Sequence, residues 1–350
     1  QQPIAWRKAA DAVDAQRAKI SNWLEPILTK SNLRIILTGA GTSAYVGESI
    51  APHLSNETNR LVEAISTTEI VSNPNQYLLP DHPTLLISYG RSGNSPESVA
   101  AFNLANQVIK NIYHLVITCN AQGELAIAGQ TNENAYTLLM PEETLDQSFA
   151  MTSSFTSMLV STLCVFCPQK EQLNTAIKWT NQLLNSGLEF LKQNTNSKCN
   201  RLVFLGSGGL RGIARESALK VLELTAGQTL SYSESPLGFR HGPKSLVDNK
   251  TEIVIFSSTN SYTQKYDQDL IEELQRDNQA LSITTLNKES FSSLQQLGDV
   301  WAGLPYLVYA QIYAFYKSMN AGITPDNPCP TGEVNRVVQG VNIYPLTTES

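Results

Sequence analysis

The sequence predicts an α/β protein made of two units in tandem, each with a parallel sheet covered by helices on both faces. Three observations predict this class. Short apolar runs typical of buried strands alternate with helical patterns, which is the order found in βαβ units. The same order of strands and helices occurs twice along the chain. Finally, 350 residues suit two α/β domains of ordinary size.

In the first half, the elements follow one another in a clear order. The stretch "AWRKAADAVDAQRAKISNWLEPIL" has helical periodicity and predicts one or two helices. Strands are predicted at "LRIILTG", "LVEAIS", "TLLISYG" and "YHLVITCN", with helices at "TSAYVGESIAPHL" and "SPESVAAFNLANQVI". From Gln147 to about Lys192 the pattern is helical, with a break near Pro168, and we interpret this segment as a bridge between the halves.

The second half repeats the first. "RLVFLGSGG" answers "RIILTGAGT", so that Gly206 and Gly208 stand where Gly39 and Gly41 stood. "TEIVIFSSTNSYT" answers "PTLLISYGRSGNS", and "ALSITTLN" answers "YHLVITCN". We therefore predict a duplicated three-layer α/β/α unit with the flavodoxin-like topology of nucleotide folds. The copy at 257–259 reads "SST" and lacks the glycines, which predicts that function has divided between the halves.

These patterns give predicted domain bounds: an N-terminal helical segment at 1–31, a first unit with its bridging helices at 32–192, and a second unit with a C-terminal tail at 193–350.

The charge balance favours a small-molecule partner. The chain has 25 basic and 31 acidic residues, with no cluster of lysines or arginines that would suit a nucleic acid or an anionic membrane. No apolar run reaches the roughly 18 to 20 residues of a membrane span. The first residues, "QQPIAWRKAADAVDAQ", also lack the basic-then-apolar order of a signal peptide. The expected location is the cytoplasm.

Cysteine and histidine usage predicts neither a disulfide framework nor a metal site. The five cysteines are odd in number and widely spaced, so reduced thiols are expected. Cys164 and Cys167 form a C-x-x-C, but they lie in the apolar helical segment "MLVSTLCVFCPQK" without a second pair or a nearby histidine, which favours buried core positions. None of the four histidines lies at metal-ligand spacing from another. We expect no cofactor.

Two loops carry the features of an anion site. In "YGRSGNS" the glycines allow the backbone to turn, and the polar residues offer donors at the start of the helix opened by Pro96. "GAGTS" follows the first strand and can add further hydroxyls from a neighbouring loop. The predicted phosphate ligands are Gly41, Thr42, Ser43, Arg91, Ser92, Asn94 and Ser95. A simpler interpretation of either loop alone is a capped turn.

A third set of hydroxyls opens the helix at "MTSSFTS", where Thr152 and Ser153 are further candidates for phosphate binding. By itself this stretch is only a good capping sequence.

A dinucleotide site is the competing interpretation of the first loop. Gly39, Gly41 and Ala44 form a loose G-x-G-x-x-A after a strand, and Glu63 lies near the distance expected of a ribose-binding acid. That pattern would suit a dehydrogenase. The serine-rich loop after the next strand has no role in such a site, so we rank this interpretation below a sugar phosphate.

The second half carries the candidates for chemistry. In the predicted helix from about Leu210 to Ala226, the residues Glu216, Lys220 and Glu223 are spaced i, i+4 and i+7 and share one face. His241 lies in the loop "FRHGPKSL", where its ring is not committed to helix packing. A solvated charged face and an incidental loop histidine are the simpler alternatives.

At these residues the chain resembles a known family. "GAGTS", "RSGNSPES", "ESALKVLELTAGQTL" and "FRHGPKSL" resemble the phosphosugar loops and catalytic segment of sugar isomerase (SIS) domain proteins, especially the isomerase half of glucosamine-6-phosphate synthase. The match runs from about Asn32 to the C-terminus. "AMTSSFTSML" and "GITPDNPCPTGEVNRVVQGV" resemble more closely the bacterial subgroup of D-galactosamine-6-phosphate deaminase/isomerases, long described as tagatose-6-phosphate ketose/aldose isomerases.

The resemblance implies roles for individual residues. Glu223 would move the proton between C1 and C2, Lys220 would neighbour it, and His241 would assist ring opening, reaching into the site of a partner subunit of a homodimer. Gln339 stands where the synthase has a C-terminal lysine that meets the sugar carbonyl, so the resemblance gives no Schiff-base lysine at that place. The resemblance assigns phosphate binding to Ser43, Arg91, Ser92 and Ser95.

The expected function follows from this resemblance: conversion of D-galactosamine 6-phosphate to D-tagatose 6-phosphate and ammonia. The chain begins "QQPIAW" without the synthase's glutaminase domain, which favours release of ammonia over its installation. Two alternatives stay open. One is aldose–ketose isomerisation without deamination, and the other is a non-catalytic module that binds a sugar phosphate.

Overall fold

The chain divides into two units, each with its own parallel sheet. The computed structural model describes residues 1–195, 198–291, 296–338 and 340–347. The first unit comprises Gln1–Gln147, Met151–Pro168 and the tail from Gly332, and the second comprises Ser148–Ala150 and Gln169–Thr331. No helix in the described ranges is long and apolar enough to cross a membrane.

The first unit contains a five-stranded sheet in which every neighbouring pair is parallel. Its order, β2-β1-β3-β4-β5, is the flavodoxin-like order. The strands are β1 (Arg34–Thr38), β2 (Val62–Ala64), β3 (Thr84–Gly90), β4 (Ile112–Thr118) and β5 (Ala135–Leu139). The central strand β3 is buried along its whole length, as expected of a strand covered on both faces.

Helices cover both faces of this sheet. Leu86 of β3 packs with Ile70 and Ala105 on one face, and Tyr89 of the same strand donates or accepts a 3.1 Å hydrogen bond with Thr162 on the other. The helices of the unit are α1 (Gln2–Ala15), α2 (Arg17–Leu28), α3 (Thr42–Thr58), α4 (Thr67–Ser72), α5 (Pro74–Tyr77), α6 (Pro96–Val108), α7 (Glu124–Thr131) and α8 (Ser153–Phe166). A 3-10 turn spans Glu142–Thr144.

The second unit contains a four-stranded parallel sheet in the order β7-β6-β8-β9. The strands are β6 (Arg201–Gly206), β7 (Leu230–Glu234), β8 (Thr251–Phe256) and β9 (Ser282–Leu286). The helices are α9 (Lys170–Gln182), α10 (Leu188–Asn194), α11 (Gly209–Leu224), α12 (Pro236–Phe239), α13 (Thr263–Asp277) and α14 (Asp299–Asn320). A π-helical turn at Leu183–Gly187 joins α9 to α10, and 3-10 turns span Pro243–Leu246 and Lys288–Phe291.

The core of the second unit lies on both faces of its sheet. Phe239 of α12 and Leu270 of α13 pack against Ile253 of β8 on one face, and α11 packs against α14 on the other. The predicted fold class, two parallel α/β units with helices on both faces, is confirmed.

The predicted repeat is visible in the backbone of two loops. Gly41, before α3, has φ +54°, and Gly208, before α11, has φ +57°. A Cβ atom at Gly39 would lie 2.6 Å from the backbone of Ser43, and one at Gly206 would lie 2.5 Å from the backbone of Leu210. The turn from strand to helix therefore uses glycines at equivalent positions in both units. The turn leaves no room for a side chain at the first glycine and needs a positive φ at the second.

The two compact units divide the chain at other places than the predicted bounds of 1–31, 32–192 and 193–350, which remain a prediction about domains. Helix α9 belongs with the second unit because it packs on α14, where the Trp301 indole donates a 3.0 Å hydrogen bond to Gln169. The tail belongs with the first unit because its backbone and side chains bond to the loops of that sheet. Cys164 and Cys167 are buried, as predicted.

Candidate functional site

The two candidate phosphate loops of the first unit leave neighbouring strands at the same edge of the sheet. Strands β1 and β3 are paired in parallel, with Thr38 opposite Ser88. "GAGTS" follows the first of them and "YGRSGNS" ends the second. Because the carboxyl ends of parallel strands are where such folds bind ligands, the predicted juxtaposition of the loops agrees with an anion site at this edge.

The loop after β3 is held by the loop after β4. Asn120 donates its side-chain amide to the carbonyl of Ser92 at 2.8 Å, and the side-chain oxygen of Asn94 accepts the amide of Glu124 at 3.0 Å. Gly93 has φ +67°, a conformation that favours glycine. The side-chain oxygen of Asn94, a predicted phosphate ligand, is thus engaged in a hydrogen bond to the first turn of α7. Asn120, which no pattern in the sequence indicated, holds this loop through the carbonyl of Ser92.

Arg91 is the buried cation of this loop. Its side chain is only 6% exposed, and its Nη2 donates a 2.7 Å hydrogen bond to the carbonyl of Arg336 in the tail. The guanidinium of Arg336 in turn donates to the carbonyls of Asp146 and Gln147, the latter at 3.0 Å. A guanidinium held in this way is a pre-organised donor for an anion. Tail, β3 loop and the segment before α8 are therefore linked through Arg336.

The N-terminus of α8 already carries an anion, the carboxylate of Asp146. It accepts the Thr152 hydroxyl and the Ser153 amide, both at 2.7 Å, and the amide of Ser154 at 3.1 Å, together with the Ser154 hydroxyl. A carboxylate at a helix N-terminus is favourable for the same reasons as a phosphate. The Thr152 hydroxyl and Ser153 amide, predicted as phosphate donors, are therefore committed to Asp146, and their part in phosphate binding stays a prediction.

The remaining predicted ligands lie on the first turns of α3 and α6. Thr42 and Ser43 are each 5% exposed at the start of α3. Ser95, the residue before α6, donates its hydroxyl to Glu97 at 2.8 Å. An anion bound by the Ser95 hydroxyl has to replace Glu97 as its acceptor. Gln339 lies outside the described residues.

The structure does not favour the dinucleotide interpretation of the first loop. The carboxylate of Glu63, which would have to accept ribose hydroxyls, is engaged by the guanidinium of Arg34, at 3.0 Å from Nη2 to Oε1 and through Nε as well. Arg34 also donates to the carbonyl of Tyr77. Glu63 thus serves an internal ion pair.

In the second unit, α11 brings together the three predicted charged residues. Lys220 lies between two carboxylates, with its Nζ 3.4 Å from Glu216 and 2.5 Å from Glu223. The three side chains differ in exposure: 0% for Glu216, 1% for Lys220 and 22% for Glu223. Glu223 is therefore the carboxylate of this row that is open to a ligand.

The charge of this row is set by the two carboxylates. Burial by itself lowers the pKa of Lys220, but the negative charges of Glu216 and Glu223 outweigh it, so that the pKa lies above its usual value. Lys220 is therefore an ammonium ion at neutral pH. Such a cation is suited to hold the Glu223 side chain in place, and unsuited to form a Schiff base, which needs the neutral amine.

His241 follows α12 in an exposed turn. Its amide donates to the carbonyl of Gly238 at 3.0 Å, and the next residue, Gly242, has φ +123°. Across the described ranges of this chain, the imidazole makes no hydrogen bond or ion pair. The ring is thus available to a ligand or to another chain. In the same ranges, no group of three or more histidine, cysteine or acidic side chains is placed to hold a metal ion.

These observations define a class, an α/β protein of two parallel-sheet units, with candidate anion-binding loops in the first unit and a carboxylate–ammonium pair on α11 of the second. Comparison with known families makes the class specific. The SIS domain matches residues 27–167 and 197–323. The chain belongs to the SIS domain family.

Individual relatives are similar over nearly the whole chain. The D-galactosamine-6-phosphate deaminase AgaS of Shewanella sp. (strain ANA-3) is 53% identical over 349 residues, which are 99% of this chain and 90% of that protein. The D-galactosamine-6-phosphate deaminase AgaS of Escherichia coli is 49% identical over 360 residues, covering 98% of this chain and 94% of that protein.

Solved structures show the same fold. The crystal structure of tagatose-6-phosphate ketose/aldose isomerase from Escherichia coli has a TM-score of 0.92 and 46% identity, covering 99% of this chain and 95% of that one. The glucosamine-6-phosphate deaminase from Thermotoga maritima, with a TM-score of 0.73 and 20% identity over 95% of this chain and 99% of that one, shares the fold.

Proposed function

We propose that this protein converts D-galactosamine 6-phosphate to D-tagatose 6-phosphate and ammonia. The observation that carries the proposal is the row on α11, in which the buried Lys220 lies between the buried Glu216 and the partly exposed Glu223. A carboxylate so held can serve as a general base. The choice of sugar is supported by relatives at 49% and 53% identity that are D-galactosamine-6-phosphate deaminases.

In the proposed reaction, His241 assists opening of the pyranose ring, which exposes the aldehyde at C1. Glu223 then removes the proton from C2 and returns it to C1. The C2 amine becomes an imine, and water hydrolyses this imine to the ketone with release of ammonia. Proton transfer and imine hydrolysis need no metal and no redox cofactor, so none is part of the proposal.

The phosphate group of the substrate supplies binding energy remote from the reacting carbons. We assign the phosphate group to the loops that contain Ser43, Arg91, Ser92 and Ser95. Binding at a group remote from C1 and C2 positions those carbons for proton transfer and lowers the entropic cost of the reaction. The ammonium of Lys220, whose Nζ lies 2.5 Å from Glu223, restricts the motion of the Glu223 carboxylate and keeps it in position for proton transfer.

Several finer statements belong to this proposal. The enzyme acts as a hydrolase on a C–N bond as well as an isomerase, because water enters at C2. It works as a homodimer in which His241 is contributed to the partner's site, which agrees with the exposure of its turn. Its location is the cytoplasm, where phosphorylated sugars are retained.

The test is an assay of ammonia release and ketose phosphate formation from galactosamine 6-phosphate, with glucosamine 6-phosphate and tagatose 6-phosphate alongside. Glu223→Gln should lower turnover by about a thousandfold while inorganic phosphate still binds, because the base is lost and the loops are intact. The exposed Glu272→Gln is the control. Retained turnover in Glu223→Gln would remove this residue from the mechanism.

A second function is favoured by the similarity to the tagatose-6-phosphate ketose/aldose isomerase of Escherichia coli. Isomerisation without deamination uses the same proton transfer between C1 and C2. In the assay above, it predicts turnover of tagatose 6-phosphate and no ammonia from the amino sugar. Binding of a sugar phosphate without turnover of any of the three would indicate a non-catalytic module.

A further inference from the structure

The two cationic residues that flank His241 share one carboxylate on α13. Arg240, the preceding residue, has its Nε 2.8 Å from Glu273 Oε2. Lys244, three residues after His241, pairs with Glu273 Oε1 and also lies 2.5 Å from Asp277. The carboxylate of Glu273 therefore bridges the two ends of the five-residue turn that contains His241.

The same turn is fixed to α13 by apolar packing. Phe239 is fully buried and packs with Leu270 and Leu274 of α13. Before it, the Ser235 hydroxyl accepts the amide of Gly238 at 3.1 Å. The backbone on the N-terminal side of His241 is thus anchored by the core, and on the other side Lys244 ties the turn to α13 through Glu273 and Asp277. Glu273 links the two.

The charges of this cluster reinforce one another. Hydrogen bonding to Lys244 lowers the pKa of Glu273, and hydrogen bonds from Asp277 and Glu273 raise the pKa of Lys244. Both partners are therefore ionised at neutral pH. The side chains of Arg240, Glu273 and Lys244 are 23% to 30% exposed, so solvent screens these pairs and their contribution to stability is modest.

We propose that Glu273 is a positioning residue for His241, holding the turn in which the imidazole meets the sugar ring. The inference rests on the role of His241 in the proposed function. A group that is displaced by about 1 Å can lose a hundredfold in rate, so loosening one of two anchors should have a measurable effect. The expected effect falls on kcat, because ring opening is slowed, while KM for the sugar phosphate is unchanged.

The experiment compares Glu273→Gln with Glu272→Gln, which removes an exposed carboxylate from the neighbouring position of α13. Glu273→Gln should lower kcat about tenfold with KM unchanged, and Glu272→Gln should change neither. Both changes are then repeated in a His241→Gln background, where uncatalysed ring opening leaves a residual rate. Because Glu273 acts through His241, it should have no further effect there. An equal tenfold loss in that background would overturn the proposal.

A second measurement does not depend on turnover. The chain has only four histidines, so the ring proton signals of His241 can be assigned by their absence in His241→Gln. Glu273→Gln should shift and broaden these signals, and Glu272→Gln should leave them unchanged. Unchanged His241 signals in Glu273→Gln would overturn the positioning role.

The two measurements separate the inference from the proposed function. If no sugar phosphate is turned over, the proposed function fails and the spectra still decide whether Glu273 positions His241. Should Glu273→Gln not fold, Arg240→Gln removes the same ion pair from the other side and carries both tests with the same expected results.

Discussion

The loop after β3 and the loop after β8 hold the same place in the two copies, but their donors meet different acceptors. In the second unit, the Ser258 hydroxyl and the Thr259 amide donate to Asp299, both at 2.6 Å, and the Ser258 amide donates to Asp267 at 2.8 Å. In the first unit, the loop carries the buried guanidinium of Arg91, which donates to a tail carbonyl at 2.7 Å, and the hydroxyl of Ser95 donates to Glu97 at 2.8 Å.

This difference shows how one copy of a duplicated loop can become unavailable to an anionic ligand, because carboxylates of the protein already accept its donors. A cradle of hydroxyls and amides binds an anion whether it comes from a ligand or from the protein. In the second unit, the side chains of Asp267 and Asp299 accept these donors, and the loop has kept its donors without the glycines. The first copy retains a cationic residue and Gly93, and we assign it the phosphate. We assign the acid–base step to residues on α11 of the second copy.

The strongest test of this difference removes one donor from the loop of each copy and compares the effects on phosphate affinity. Arg91→Ala should weaken binding of inorganic phosphate and of the sugar phosphate by about a hundredfold, because a buried charge-assisted hydrogen-bond donor is lost. Ser258→Ala should leave both affinities unchanged. Titration calorimetry measures them, and an equal loss in Ser258→Ala would show that the second copy still binds the anion.

The internal carboxylates give a second test. Asp299→Asn places an amide against the donors of Thr259 and should lower the free energy of unfolding by about 1 to 3 kcal/mol, with KM unchanged. Asp146→Asn removes the corresponding charge at α8 and should lower stability similarly. The Asp146→Asn change should also raise KM, because Arg336 links the segment that contains Asp146 to Arg91. Urea unfolding and steady-state kinetics give the two quantities, and a KM effect confined to Asp299→Asn would reverse the assignment.

The matched glycines give a finer test. Gly41→Ala and Gly208→Ala should each lower the free energy of unfolding by about 1 kcal/mol, because both positions have a positive φ while a Cβ atom there meets nothing within 4 Å. Only Gly41→Ala should weaken phosphate binding. If both variants bind phosphate as tightly as the parent, the first loop contributes nothing through its backbone.

The smallest expected effect is on the pH dependence of stability. Burial raises the pKa of Asp267 above the ordinary value of 3.8, despite the hydrogen bonds from Ser258 and Ser207. A raised pKa in the folded state contributes stability below pH 3.8 that is lost as the pH rises through the folded pKa. The stability of the parent relative to Asp267→Asn should therefore fall across that window. Urea unfolding at a series of pH values would show it, and a difference that rises with pH would contradict it.

The sequence was informative wherever structure follows from local periodicity. The alternation of buried strands and helices predicted both sheets, and the i, i+4, i+7 spacing predicted the row of Glu216, Lys220 and Glu223. Two strands, β5 and β7, were missed. Each lies at the edge of its sheet and is mostly half-exposed, so neither has the continuous apolar run of a strand covered on both faces.

The site was less predictable because its contacts join distant parts of the chain. Arg336 bonds to Asp146, and its own carbonyl accepts from Arg91, yet no local pattern marks any of the three as a set. A side chain that binds a backbone carbonyl leaves no periodic trace in sequence. The family was confirmed, while the roles of Glu223 and His241 came from resemblance and stay predictions.

The place of Arg336 in the chain has a consequence for biosynthesis. The loops of the first unit leave the ribosome early, but their tail partner is translated only after the whole second unit. At synthesis rates of about 5 to 20 residues per second, the stretch from Pro168 to Arg336 takes roughly 10 to 30 s to make. During that time Arg91 lacks the carbonyl that fixes it. This contact thus forms late, although Arg91 itself is made early.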